Sequence, residues 1–315
     1  MASLSTAGAA ADFLPVAQAL GLHLLERGWL SSNNVVLVGA EVADVVDTGY
    51  ATHAPQTVAL VAQAIGERRL RHIVNTHLHS DHCGGNAALQ AHFAEASIVI
   101  PPGQADAVAR WDAVALTHET TGQQCPRFSA QRVLHPGECI VLGDWRWEAL
   151  AARGHDPHSL ILLQPDHGVL LSADALWENG FGIVFPELEG IDAFSEVAET
   201  LDLIERLSPR WVIPGHGRAF ADLPDALARA RRRLAQFQQH PERHRWHALK
   251  VLIKFKLLEW QRAPEEQLVA WFLKTPYFGL VASPGEDRTE LLTRVVNDLV
   301  QSGALARHGG DIVNA

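Results

Sequence analysis

The chain has 315 residues, enough for one large α/β body with a small appendage, and its 47% hydrophobic and 20% charged content excludes disordered and fibrous classes. The formal net charge of -10 gives nucleic acid no overall attraction, although residues 229–256 hold nine Lys or Arg and the single acid Glu242. Three cysteines without a C-x-x-C pair, no signal-peptide pattern and no apolar run of ~20 residues predict a cytoplasmic protein that does not span a membrane.

Short runs rich in Val and Ile alternate with helical stretches over about the first 240 residues. The predicted strands are 35–38, 43–47, 72–76, 97–100, 138–142, 145–150, 160–163, 169–172 and 210–214. The predicted helices are 56–66, 193–207 and 223–239. This alternation is typical of stacked βα units, so the predicted fold class is α/β.

The pattern changes after residue 239. The HPER segment at 240–243 predicts a linker, and helical segments follow at 246–260, 264–274 and 288–302, before a Gly-bearing hairpin pattern. Helices followed by such a hairpin resemble a winged helix. The predicted boundaries are therefore a catalytic domain at 1–240 and a helical, winged-helix-like domain at 241–315.

Potential metal ligands stand at the ends of several predicted strands. The segment THLHSDHCGGN (76–86) directly follows one strand, and shorter motifs, GHDPH, SADA and IPGHG, follow others. Imidazole nitrogens and carboxylate oxygens suit zinc or iron. The candidate ligands are His77, His79, Asp81, His82, His155, Asp174 and His216.

This order of motifs resembles the metallo-β-lactamase superfamily over roughly residues 30–220. The resemblance implies a four-layer αβ/βα sandwich with a small, mainly helical C-terminal domain, and two divalent ions, with zinc favoured and iron or manganese as alternatives. It implies that His77, His79 and His155 bind the first ion. It also implies that Asp81, His82 and His216 bind the second, that Asp174 bridges both, and that Asp47 orients ligands.

Two assignments near these motifs have alternatives. His158 lies three residues after His155, and the family more often has G-H-x-x-G-H, whose second Gly is absent here. His155 is favoured because it follows Gly154, and His158 is expected to line the turn or touch substrate. Cys83 occupies a position that the family does not use as a ligand, so packing is expected.

The predicted reaction is hydrolysis of an ester, thioester, lactone or phosphoester in a small-molecule substrate by a hydroxide that bridges the metals. Asp81 is the candidate catalytic residue, because it could orient or shuttle the proton. A mono-iron persulfide-type dioxygenase is one alternative, since iron with open coordination sites can bind dioxygen. An RNA-cleaving or nucleic-acid-binding protein is another, but the basic stretch at 229–256 is better explained as a solvated helix face.

The sequence does not identify substrate-binding residues. The segment 176–190 is predicted to be non-helical because it is Gly-rich, and its Trp177, Phe181 and Phe185 either line the site or pack against the sandwich. No glutathione-binding Lys and Tyr set is evident, which weakens a glyoxalase II assignment. A homodimer fits the common arrangement of soluble enzymes.

Overall fold

The computed structural model describes the backbone of residues 5–315 and the side chains from Phe13 onward. Two mixed sheets form its main body. The first contains, in spatial order, β1 (Leu22–Leu25), β2 (Asn34–Val38), β3 (Val42–Val46), β4 (Arg69–Val74), β5 (Ser97–Ile100) and β6 (Arg132–Val133). The second contains β11 (Trp211–Pro214), β10 (Val169–Ala173), β9 (Leu160–Gln164), β8 (Trp145–Ala151) and β7 (Cys139–Leu142).

Helices flank both sheets and continue beyond them. Their bounds are α1 (Ser5–Leu20), α2 (Ala54–Ile65), α3 (Ser80–Cys83), α4 (Asn86–His92), α5 (Ala105–Arg110), α6 (Phe185–Leu188), α7 (Phe194–Leu207), α8 (Leu223–Gln239), α9 (Pro241–Trp260), α10 (Glu265–Lys274), α11 (Pro276–Val281) and α12 (Arg288–Gln301). A short 3-10 helix, Ala51–His53, precedes α2. Strands β12 (Arg262–Pro264), β13 (Leu305–His308) and β14 (Asp311–Asn314) form a third, smaller sheet.

Alternating side chains of the strands build the layers. Leu37 of β2 faces the core between the two sheets, whereas Val36 faces the helices outside the first sheet. In the same way Leu162 of β9 faces the central core, and Ile161 packs towards α7 and α8 outside the second sheet. The order of layers is therefore helix, sheet, sheet, helix, which confirms the predicted α/β sandwich.

The C-terminal part has its own apolar core, built from α9 to α12 and the small sheet, and its predicted helical character is confirmed. The predicted linker at 240–243 is wrong, because α9 begins at Pro241 and only His240 separates it from α8. Proline suits the first turn of a helix, where its missing N–H costs nothing. The domain boundary between 240 and 241 stays a prediction.

Buried polar contacts attach α9 to the main body. Tyr50, which follows β3, donates its hydroxyl proton to Glu259 Oε2 (2.8 Å), and Lys256 Nζ lies 2.6 Å from the same carboxylate. Tyr50 also packs edge-on against Phe255 at 5.1 Å between ring centroids. These contacts place one face of α9 beside the strand ends. Within residues 5–315, no helix combines the length and apolar character needed to cross a membrane.

Candidate metal centre and adjoining pocket

The candidate ligands and Asp47 meet at one edge of the two sheets because each follows a strand that ends there. Asp47 follows β3, the segment from His77 to His82 follows β4, and Asp174 follows β10. Two non-glycine residues at this edge have positive φ, Asp47 at 56° and Ala173 at 46°. Such backbone strain persists only where the surroundings enforce it, and it is common at functional sites.

Three histidines form the first group. His155 Nε2 lies 2.8 Å from His79 Nδ1 and 3.3 Å from His77 Nε2. His155 Nδ1 donates to the carbonyl oxygen of Ile183 (2.5 Å), which fixes the tautomer and leaves Nε2 facing the other two rings. Nitrogen atoms of all three residues lie within 4.8 Å of one another, so they could hold one metal ion.

Asp81, His82 and His216 form the second group. His216 Nε2 lies 3.2 Å from Asp81 Oδ2, and His82 Nε2 lies 4.0 Å from the same oxygen. Asp174 lies between the groups, with Oδ1 3.4 Å from His82 Nε2 and Oδ2 3.5 Å from His155 Nε2. One carboxylate thus faces both clusters of donors.

The electrostatics of the site favour a cation. Burial, and then the nearby histidines, lower the pKa of His77 far below its usual value. The same causes lower the pKa of His79 to about 4. Both rings are therefore neutral. Burial opposes ionisation of Asp174, yet His82 and His216 hold the pKa of its carboxyl well below the usual range. Neutral imidazoles and ionised carboxylates are the forms that bind metal ions.

His82 shows most directly that these residues fit a metal. Its Nε2 is buried and has no hydrogen-bond partner in the described part of the chain. Burial would lower the pKa of His82, but Asp174, Asp47 and Asp81 raise it well above the usual value. A divalent ion between these carboxylates would meet the same attraction and would coordinate the unpartnered nitrogen.

Asp47 is hydrogen-bonded to His82 and does not belong to either group of donors. Its Oδ2 lies 2.8 Å from His82 Nδ1, and its two oxygens accept hydrogen bonds from the backbone N–H and hydroxyl of Thr76 at 2.9 and 2.8 Å. The bond to Nδ1 directs Nε2 of His82 towards Asp81 and Asp174. This is the geometry expected of a residue that orients a metal ligand.

Two glycines permit the close packing of these side chains. A Cβ at Gly215 would lie 2.3 Å from Asp174 Oδ1, and one at Gly182 would lie 2.5 Å from His155 Nδ1. Any larger residue at either position would displace a candidate ligand.

A cavity of about 730 Å³ adjoins the centre. Its wall on the α9 side includes Val251, Phe255 and Leu258, and Tyr277 of α11 also lines the cavity. Cationic side chains also line it, namely Arg218, Arg233, Lys250 and Lys254. Glu178 and Glu189 line it as well, so the cavity combines an apolar wall with charges of both signs.

Tryptophans cover the His216 side of the centre. Trp29, 59% exposed, stacks on His216 at 5.3 Å with an interplanar angle of 9°. Trp177 packs edge-on against the same ring and donates its indole N–H to Asp174 Oδ1 (3.2 Å). No sequence signal indicates a role for Trp29, since it stands outside every motif.

The structure brings all seven candidate ligands together and leaves His158 outside, with its ring against Gly103. Two of the aromatic residues that follow Asp174 have different surroundings. The ring of Phe185 lies beside that of His79, with 5.2 Å between the ring centroids, whereas Phe181 packs in the core. The prediction that the segment 176–190 is non-helical is wrong in part. Its residues Phe185–Leu188 form the short helix α6, and Pro186 suits the first turn of that helix.

The basic stretch at 229–256 is largely ion-paired. Arg231 binds Asp202 and Glu205 at 2.7 and 2.8 Å, and Lys250 lies 3.3 Å from Asp298. The predicted solvated helix face covers only part of the stretch, because Lys256 is buried and Arg233, Lys250 and Lys254 line the cavity.

The comparisons with known proteins agree with this geometry. The family model described as metallo-beta-lactamase superfamily matches residues 27–216, more than half of the chain. This chain belongs to the metallo-β-lactamase superfamily. The predicted enzyme class, a hydrolase of this superfamily, is thereby confirmed.

Curated relatives of this superfamily member include two thioesterases by name. The chain is 26% identical over 216 residues to the acyl-coenzyme A thioesterase MBLAC2 of Homo sapiens, covering 62% of this chain and 77% of that protein. It is 27% identical to the thioesterase pkgB of Emericella nidulans, covering 64% of this chain and 50% of that one.

Solved structures extend the likeness in fold. A metallo-beta-lactamase family protein of Thermus thermophilus matches with a TM-score of 0.57 at 20% identity, covering 94% of this chain and 99% of the other. A beta-lactamase domain protein of Burkholderia ambifaria matches with a TM-score of 0.55 at 18% identity, covering 93% and 91%. The shared fold therefore includes the C-terminal helices as well as the sandwich.

Proposed function

We propose that this superfamily member is a dinuclear metal-dependent thioester hydrolase that acts on acyl-coenzyme A or a similar phosphate-bearing thioester. The observation that carries the proposal is the position of Asp174, whose two oxygens face two separate groups of donors at 3.4 and 3.5 Å. A carboxylate placed in this way can bridge two ions, with zinc favoured.

In the proposed assignment, His77, His79 and His155 hold one ion, and Asp81, His82 and His216 hold the other. Two ions held there would supply Lewis acidity, which lowers the pKa of water and polarises a thioester carbonyl. Asp81, whose Oδ2 lies 3.2 Å from His216 Nε2, would accept a proton from the attacking water and pass it towards the leaving group.

The substrate class rests on the cavity. Its volume of about 730 Å³ is within the range of small-molecule sites, and the apolar wall from α9 suits an acyl chain. Arg233 bonds to neutral groups, the Asn179 carbonyl oxygen and His247 Nε2, so its charge meets no carboxylate within the described residues. An uncompensated guanidinium at the cavity suits a phosphate of the leaving group. The names of the thioesterase relatives support the same choice.

The test combines metal content with activity in a matched pair of variants. His155→Ala removes a proposed ligand, and His158→Ala removes a histidine three residues away that lies outside the centre. Elemental analysis should give at least about two zinc ions per wild-type chain, fewer in His155→Ala and no change in His158→Ala. Hydrolysis of acyl-coenzyme A should follow the same order.

Two results would contradict the proposal. Equal metal loss in both variants would show that the loss in His155→Ala is not specific, and His155 would no longer be assigned as a ligand. About one iron per chain, with oxygen uptake on persulfides and no thioester hydrolysis, would replace the hydrolase with the dioxygenase alternative.

A further inference from the structure

A second group of potential metal ligands lies outside the histidine and aspartate centre. A ring nitrogen of His118 and the sulfur atoms of Cys83 and Cys125 all lie within 4.8 Å of one another. Cys83 is fully buried, and His118 is 4% exposed. Two sulfur donors and one imidazole therefore meet in the protein interior, in a combination that zinc prefers.

The distance between the two sulfurs matches a tetrahedral ion. Cys83 Sγ and Cys125 Sγ are 3.7 Å apart. Two sulfurs bound at about 2.3 Å to a tetrahedral zinc are separated by roughly 3.8 Å. The pair could thus share an ion without a shift of the backbone.

His118 supplies an independent observation. Its Nε2 is buried and has no hydrogen-bond partner among the residues that the structure describes. Leaving such a group unpaired costs about 1–3 kcal/mol. An ion beside the imidazole would use donor capacity that the protein itself leaves unsatisfied.

We propose that Cys83, His118 and Cys125 bind one thiophilic divalent ion such as zinc, separate from the catalytic centre, with the fourth position left to water. Metal ions bind the thiolate form of cysteine, so both thiols would release their protons to solvent on binding.

The ion would fasten the irregular segment between α5 and β6 to α3. Ser80 of α3 already donates to Gln123 of this segment (2.5 Å), and Gln124 donates to Glu259 of α9 (2.6 Å). Because α3 includes Asp81 and His82, an ion between Cys83 and Cys125 would stiffen the support of the catalytic centre. The site is therefore proposed as structural.

Cobalt provides a probe that does not depend on activity. The protein is loaded with Co²⁺ under reducing conditions, and the near-ultraviolet charge-transfer band of a cobalt thiolate is recorded. The histidine and aspartate centre contains no sulfur, so a band would report this second site alone. Wild type should show it, Cys125→Ser should lose it, and Cys139→Ser should keep it, because Cys139 lies apart on β7.

Elemental analysis gives a second readout on the same proteins. Wild type and Cys139→Ser should bind the same number of ions per chain, and Cys125→Ser should bind one ion fewer. This difference does not depend on how many ions the catalytic centre holds. Should Cys125→Ser fail to fold, His118→Gln replaces it, with binding of the extra ion weakened at least about tenfold. Absence of the band in wild type, its persistence in Cys125→Ser or an equal loss in Cys139→Ser would overturn the proposal. An intact mass two hydrogens lower under reductant, which indicates a disulfide, would do so too.

Discussion

The two walls of the cavity are built on different principles. The strand-end wall gathers buried polar side chains from separated parts of the chain, such as His77 and His216, and fixes them through mutual contacts. The α9 wall presents side chains from one helix, with apolar ones such as Val251 and Phe255 beside the cations Lys250 and Lys254. Substitutions in the strand-end wall are therefore expected to change kcat and metal content. Substitutions in the α9 wall are expected to change KM.

Asp174→Asn should have the largest effect, because it removes the negative charge that faces both groups of donors. We expect metal content to fall and kcat/KM to decrease about 10³-fold, while KM for the acyl group changes little. Asp166→Asn is the control, since Asp166 is an exposed carboxylate in the turn at the other end of β10. Steady-state kinetics with metal analysis make the measurement, and a variant with normal metal content and rate would contradict the bridging role.

Asp47→Asn should have a smaller effect, because it weakens the hold on His82 without removing a ligand. Asn tolerates the left-handed backbone that Asp47 adopts at φ 56°, so the fold should persist. We expect metal affinity or activity to fall about 10- to 100-fold. Competition with a chromophoric chelator measures the affinity, and an unchanged constant would exclude a role for Asp47 in orienting His82.

Arg233→Gln tests the cavity beyond the metals. Loss of one uncompensated charge near a phosphate should raise KM for acyl-coenzyme A about tenfold. KM for a thioester of the same acyl group that lacks phosphates should not change. Arg231→Gln is the matched control, because Arg231 lies on the same helix but is paired with Asp202 and Glu205. A rise in KM for both thioesters would assign Arg233 a structural role.

The two walls also differ in how far the sequence predicts them. Candidate ligands such as His155 and Asp174 could be predicted because each follows a β-strand signal, and parallel strand ends share one sheet edge. Trp29 could not, because stacking on His216 depends on long-range packing. The position of α9 was obscured for another reason. The sequence pattern predicts a linker at 240–243, although proline at the first turn is compatible with a helix that continues for 20 residues.

Val251→Asp tests the α9 wall directly. Val251 is 36% exposed at the cavity, and a carboxylate there would meet the acyl chain. We expect KM for a long-chain acyl-coenzyme A to rise about tenfold, with acetyl-coenzyme A unaffected. Leu280→Asp, at an exposed apolar position of α11 outside the cavity lining, should change neither constant. Equal effects on short and long substrates would show that this wall does not bind the acyl chain.

At the contact between the main body and α9, stability rather than catalysis is expected to change. Burial, and then Arg233, lower the pKa of His244 to about 4, and its Nε2 accepts a hydrogen bond from the Val184 N–H (3.2 Å). Above pH 6.5 the ring is neutral in both folded and unfolded chains, so it adds no pH dependence. Between pH 6.5 and 4 only the unfolded chain takes up the proton, so the free energy of unfolding falls by up to about 1.4 kcal/mol per pH unit.

Urea unfolding at a series of pH values checks this contribution. His244→Gln removes the titrating group, so its stability should decline less steeply than that of wild type as the pH is lowered. His135→Gln, at an exposed position, should follow the wild-type slope. Metal release at low pH affects all three proteins and cancels in the comparison. A His244→Gln slope equal to that of wild type would mean that the ring is protonated in the folded protein, and that the junction with α9 admits water.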